Sequence, residues 1–464
     1  MSFGFGSSNS FGASSGGGGF GSSSGGGGFG SSSGGGGGLF GSSSSTTNNS
    51  GGGFSFGGNG GASMGGFGQQ QQQQQGQPPQ QQAQGGSFGQ AQQLPFGQVM
   101  NSNNDFEIPR DQNSATDSYS CLAWSPVGGS NLLVLGSWDA KVRCYEIMDN
   151  GSQLQAQFKA AVECGAPVLD VCFKNDGSGC FIATADNMAK MWTFGQPTAQ
   201  DVGKHDAPIR ALRWIPEKNL LATAGWDKKL RYWDLHSPQP ALDLQLPGRC
   251  DCMDIRFPYC VVATGGTEEE RQVVIYNLQN NPQMPERVLN EQSPPAGMTN
   301  NRAALTKPLK RQYRTVAIFP NCTGFAIASI EGRCSIQYFQ QNRFGDIFAF
   351  KCHRDKNTKQ IFTVNSLSFH QQFGTFATAG NDGMWNFWDK DSKQRLKAGS
   401  VIKMQNGDPA PIVASGFNSN GNLYAYAVSY DWSRGAQGCP NTNISTIMIH
   451  RTIESEIKPK SQAR

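Results

Sequence analysis

Reactive side chains are sparse and scattered along these 464 residues. The five histidines, His205, His236, His353, His370 and His450, stand apart from one another. No G-x-S-x-G turn, phosphate-binding glycine loop or H-E-x-x-H pair accompanies them. Cys250 and Cys252 form a C-x-C, but neither a second pair nor flanking histidines complete the ligand set of a structural zinc. The twelve cysteines lie in apolar strand-like contexts such as Val171-Cys172-Phe173, where they read as small buried hydrophobes in a reducing compartment. The expectation is a protein that is not an enzyme, with no metal, no cofactor and no small-molecule substrate.

The chemistry on offer is weak apolar binding, repeated many times. Phe-Gly pairs occur at Phe3, Phe5, Phe11, Phe20, Phe29, Phe40, Phe56, Phe67, Phe88 and Phe96, and Phe40 sits in a full Gly-Leu-Phe-Gly. Each ring can enter a shallow groove for at most a few kcal/mol, roughly, and such contacts add through effective concentration while each releases quickly. They are strung on 104 residues that precede the first charged residue, Asp105, and consist mainly of Gly, Ser, Gln and Asn, with a glutamine run from Gln69 to Gln75. Such a segment buries too little apolar surface to offset ordering its backbone, about 1–2 kcal/mol per residue, so residues 1–104 read as a disordered arm. An uncharged, glutamine-rich chain of this kind also favours weak self-association.

The elements that position anything else must come from residues 105–464. All 38 basic and 34 acidic residues lie there, so nucleic acid would be bound only by a local patch. The sequence repeats at intervals of roughly 40–60 residues, each unit ending in an aromatic-bearing strand after a Gly- or Asp-containing turn. The units close at Tyr145, Trp192, Trp233, Tyr276, Tyr338 and Trp388, with a degenerate last unit around Tyr430 to His450. The pattern predicts an all-β fold, a seven-bladed propeller over residues 105–452, followed by a basic tail over 453–464. Asp139, Asp186, Asp227 and Asp382 each precede the closing aromatic by six residues, which puts a carboxylate in a tight turn where it can accept backbone N–H groups. Phe106 to Pro109 is the expected closing strand, since an open last blade would leave a strand edge unpaired. Residues 279–312 read as a Pro- and Asn-rich insertion too long for an ordinary blade connection. With no 18-residue apolar run and no secretory start, a cytosolic or nuclear protein without membrane insertion is expected.

Longer strings carry a resemblance. His205, Thr223, Asp227 and Trp233 have the order and spacing of the hydrogen-bonded tetrad of WD40 repeats. GSWD at Gly136, PVLDVCF at Pro167, HDAPIR at His205, GWDKKLRYWD at Gly225, GFAIASIEGRCSIQYF, FKCHR, FWDKD and GNLYAYAVSYDWSRG resemble the messenger-RNA export WD40 propellers of the nuclear pore, over essentially all of residues 105–464. That resemblance implies an adaptor that captures the GLEBS hairpin of a GLFG nucleoporin on one face and single-stranded RNA on an adjoining basic rim. The residues it carries over are Arg333, Phe350, Trp388 and Lys390, with Lys393 and Arg395 following. Trp388 is equally readable as a buried blade aromatic, and the lysines as a solvated turn. Lys307, Lys310, Arg311 and Arg314 form a further basic cluster. The arm resembles FG nucleoporins, whose repeats bind nuclear transport receptors, and implies residence at the nuclear pore with shuttling to the cytoplasm. Family members have a short N-terminus, so the fused arm is a departure, and it leaves open whether recruitment still needs a separate nucleoporin. The alternative is the related mitotic-checkpoint propeller, which binds GLEBS-like segments of checkpoint kinases at kinetochores. The Trp-Asp-x-Arg signature of ubiquitin-ligase receptors is absent, because Trp233-Asp234 and Trp388-Asp389 continue as Leu235-His236 and Lys390-Asp391.

Overall fold

A computed structural model of the chain describes residues 98–290, 308–439 and 444–460, apart from 102 and 356. Among these residues, seven four-stranded antiparallel sheets follow one another along the chain. Blade 1 runs from Tyr119–Trp124 to Leu154–Glu163, blade 2 from Val168–Phe173 to Gln200–Lys204, and blade 3 from Ile209–Ile215 to Pro240–Gln245. Blade 4 runs from Arg249–Arg256 to Arg287–Leu289, blade 5 from Tyr313–Ile318 to Phe348–Lys351, and blade 6 from Val364–Phe369 to Gln394–Ala398. Blade 7 comprises Ile412–Phe417, Leu423–Ser429 and Ser445–Arg451.

Burial explains the sequence pattern of each strand. The second strand of a blade is sandwiched on both faces, so Gly179–Thr184, Leu220–Gly225, Gly324–Ser329 and Leu423–Ser429 are buried at every position and read as continuous apolar runs. Outer strands face solvent on one side, and Leu154–Glu163 accordingly alternates. The first strand of every blade carries a register shift near its start, which places one extra residue, Ser120, Leu169, Arg210, Asp251, Arg314, Asn365 or Val413, at the same level of each blade.

The ring closes where expected, with Phe106 opposite Ile449 and Glu107 opposite Met448. Ile108 donates to the Ile447 carbonyl at 2.9 Å, and Trp124 Nε1 of blade 1 donates to Gly416 of blade 7 at 2.9 Å. Upstream of this strand, Val99 and Met100 pair with Met404 and Lys403. The stretch 279–312 is not all insertion: Arg287–Leu289 pairs with Val273–Ile275 as the outer strand of blade 4. The backbone needs that edge partner, and Val288 and Leu289 supply apolar strand formers. At the other end Glu454–Ile457 forms a helical turn with Glu456 and Ile457 buried.

His450 ties the segment that enters the propeller to the one that leaves it. Its Nδ1 lies 2.7 Å from Asp105 and its Nε2 3.0 Å from Glu456, whose other oxygen accepts from Lys397 at 2.8 Å. Tyr426 donates to the second Asp105 oxygen at 2.6 Å, and the Trp385 ring lies 4.6 Å from the imidazole. Burial opposes the imidazolium, but the Asp105 and Glu456 bonds outweigh it and raise the His450 pKa; Glu456 is held low, against its own burial, by Lys397 and His450. The raised histidine contributes fully below its unfolded pKa of about 6.5 and loses that contribution as pH rises through the folded value; the glutamate's contribution is lost as pH falls below about 4.3. Urea unfolding should therefore show the advantage of the parent over His450→Gln shrinking as pH rises above about 6.5.

Candidate functional site

Two tetrads fix the turns of blades 3 and 6. His205 Nδ1 lies 2.9 Å from Asp227 and its Nε2 2.7 Å from Thr223 Oγ1, which also accepts from Trp233 Nε1 at 2.7 Å. His353, Asp382, Thr378 and Trp388 repeat the arrangement at 2.8, 2.9 and 2.9 Å. The second tetrad was not anticipated from the sequence. Both turn carboxylates accept a backbone N–H, from Lys229 at 3.2 Å and from Met384 at 3.1 Å. Asp227 is held below the ordinary carboxylate range despite its burial, chiefly by His205. Blade 1 replaces the tetrad with a buried Arg143–Asp139 pair at 2.6 Å, and in blade 2 Thr184 donates to Asp186 while Trp192 Nε1 donates to the Gln196 carbonyl. Gly203 is required beside the first tetrad, since a Cβ there would lie 2.6 Å from the Trp233 ring.

These turns build one face. In an antiparallel blade the turn between strands two and three lies at the same end as the crossover entering strand one. Trp138, Trp226 and Ile330 each donate their amide to the residue just before the first strand of their own blade, at 2.9, 2.9 and 3.1 Å. Two residues further on, Ala140, Lys228 and Gly332 take positive φ of 63°, 61° and 62°. In blades 1 and 3 the aspartate is bent back to cap the turn through the Lys141 and Lys229 amides, and the tryptophan before it is left outside. Trp138, Trp226, Ile330 and, in the corresponding loop of blade 7, Trp432 are 39, 44, 42 and 40% exposed. Sequence reasoning missed this set. Its signal was the Trp-Asp at residues 138–139 and 226–227, where a Trp stands directly before the turn aspartate.

At the centre of this face opens a channel of 440 Å³ lined by the first strands of the blades. Arg210 and Arg314 are the extra residues of blades 3 and 5 and both line it. Arg314 thus leaves the expected cluster, while Lys310 and Arg311 stay exposed outside; Lys307 and the ten arm phenylalanines lie outside the described residues. Burial, and then the like charge of Arg210, lower the Arg314 pKa. Arg213, deeper in the channel, is instead locked between Asp170 at 2.7 Å and Asp254 at 3.1 Å.

The residues carried over from the family fall on the edge between blades 5 and 6, with one exception. Phe350 and Trp388 have ring centroids 4.8 Å apart, and Lys393 Nζ lies 4.8 Å above the Phe348 ring. Arg395 is opposite Trp388 in register and reaches Asn386 at 3.4 Å. Trp388 is half-buried, its indole N–H committed to Thr378. Lys390 is buried, not a solvated turn residue: it sits 5.3 Å over Phe319 and 2.6 Å from Asp391. Arg333 stands apart. Phe350 pairs with Cys334 and packs toward blade 6, so strand alternation sends Arg333, opposite Lys351, to the other face of blade 5.

The family model described as "WD domain, G-beta repeat" matches residues 197–234 and 347–389, the two stretches that carry the complete tetrads. The chain is 37% identical over 377 residues to Protein Rae1 of Drosophila melanogaster, covering 79% of this chain and 99% of that protein. It is 39% identical over 359 residues to an mRNA export factor of Danio rerio, covering 75% and 89%. A second mRNA export factor, from Xenopus tropicalis, is 39% identical over 394 residues, covering 81% and 98%.

Proposed function

This chain belongs to the WD40-propeller family of mRNA export factors, a non-enzymatic scaffold family, and on that premise we propose that it is an adaptor in messenger-RNA export at the nuclear pore. The face of Trp138, Trp226, Ile330 and Trp432 takes the GLEBS hairpin of a GLFG nucleoporin. One observation carries this reading: three tryptophans and an isoleucine stand exposed around a channel mouth that holds two arginines without an acceptor among the described residues. Apolar anchors about a desolvated cationic centre are what an acidic, apolar hairpin needs. The Phe-Gly arm binds transport receptors, so the chain docks at the pore through the hairpin and engages traffic through the arm.

The rim of Phe350, Trp388, Lys393 and Arg395 takes single-stranded RNA, with rings for stacking and cations for phosphate. Charge reversal at Lys393 and Arg395 should lower affinity for a ten-nucleotide RNA about tenfold and reduce the slope of log K against log salt by about two, measured by fluorescence anisotropy. Lys390→Ala should act on stability before it acts on RNA, because that ammonium is already paired.

Depletion and rescue test the whole role. Cells depleted of the protein should accumulate polyadenylated RNA in the nucleus, and the parent chain, but not a Trp226→Ala/Trp432→Ala variant, should restore export and the nuclear-rim signal. Normal RNA distribution with a mitotic-arrest defect would favour the checkpoint alternative.

A further inference from the structure

At the opposite end of the molecule a cavity of 630 Å³ opens between blades 4 and 5. Its walls are Tyr259, Glu286 and Arg287 from the end of blade 4, and Phe339, Gln340, Gln341, Asn342 and Phe344 from the turn that joins the last two strands of blade 5. Tyr259 and Phe339 are stacked at 3.8 Å. The Arg287 guanidinium lies 4.9 Å from the Phe344 ring centre and donates from Nη2 to the Tyr338 carbonyl at 2.9 Å. Its buried Nε and Nη1 have no acceptor among the described residues. The nearby Asp346 does not serve it, being paired with Arg343. Burial holds the Arg287 pKa down at about 10, against Glu286 and Tyr259, so the group remains a cation that has lost part of its hydration.

We propose that this cavity is a nucleotide subsite, which takes one base of a single-stranded RNA whose neighbouring phosphates lie on the rim of blades 5 and 6. It rests on the RNA-binding reading of that rim. Aromatic rings supply a stacking surface, three side-chain amides each offer a donor and an acceptor to a base edge, and Arg287 supplies donors to a base carbonyl or phosphate. A carboxylate alone would satisfy Arg287 and leave the three rings and three amides unused. Continuity also favours one strand: the turn that carries Phe344 leads directly into Phe348, under the Lys393 ammonium.

The test uses the full chain and a ten-nucleotide oligouridylate containing 4-thiouridine, with anisotropy for affinity and mass spectrometry for photo-crosslinks. Crosslinks should reach Tyr259 or the 339–344 segment, and Phe344→Ala should weaken binding about tenfold with an unchanged thermal melt, the loss of one stacked base. Arg287→Gln should weaken it similarly; if that variant misfolds, Phe344→Ala alone decides. Binding by Phe344→Ala equal to the parent, with crosslinks confined to residues 348–350 and loss only on Lys393→Glu/Arg395→Glu, overturns the subsite and leaves the rim standing. No binding of the oligonucleotide by the folded parent overturns both. Capture of an oligoglutamate peptide that depends on Arg287, without RNA capture, overturns the nucleotide assignment.

Discussion

Reversing Arg210 and Arg314 to glutamate should weaken capture of a GLEBS hairpin by at least about a hundredfold, the lower range of what removing desolvated charge partners costs at an interface. Both guanidiniums line the channel mouth without an ion pair among the described residues, and Arg314 is already disfavoured by burial and by Arg210. A carboxylate arriving from the partner relieves that repulsion, whereas two glutamates would repel it. The fold should survive, because neither arginine holds a blade to its neighbour. Arg213→Glu is the contrast: it would face Asp170 and Asp254, which also cap the amides of Leu212 and Ile318, and should unfold the ring. Calorimetric titration of both variants, alongside their thermal melts, separates a binding group from a structural one.

His353→Leu should cost about 3 kcal/mol of stability, within the range for stranding a buried carboxylate. The substitution leaves Asp382 without its ring partner and frees Thr378 Oγ1, which positions Trp388. Because Trp388 packs on Phe350, the loss should spread to the rim, and RNA affinity should fall with stability. Urea unfolding of His353→Leu and Thr378→Val checks this; Thr378→Val, which keeps the His353–Asp382 bond, should lie between the parent and His353→Leu.

The sequence made the blades legible because the third strands of blades 1 to 6 carry a large aromatic that must pack between neighbours, and Tyr145, Trp233 and Trp388 do so. One tetrad was readable and its twin was not. His205 lies 22 residues before Asp227, but His353 lies 29 before Asp382, because the crossover after His353 is longer, and only folding removes that difference. Lys390 looked like a surface cation because composition cannot reveal that Phe319 and Asp391 enclose it. Proximity in sequence groups Arg314 with Lys310 and Arg311; a register shift of its strand turns it into the channel beside Arg210, from two blades away. The outward tryptophans were hidden for a related reason. Trp138 and Trp226 sit next to the turn aspartates, and it is the left-handed residues Ala140 and Lys228 that decide which way the turn faces. Strand periodicity carries across single blades, whereas the face and the channel are properties of the ring.

The central claim is tested most directly by calorimetric titration of the full chain with a synthetic GLEBS hairpin. One-to-one saturation at submicromolar concentration is predicted, with a negative heat-capacity change from burial of the exposed tryptophans. A folded chain that gives no heat and no saturation across a temperature series would contradict hairpin capture, and the arm and the rim would be left as its only links to the pore.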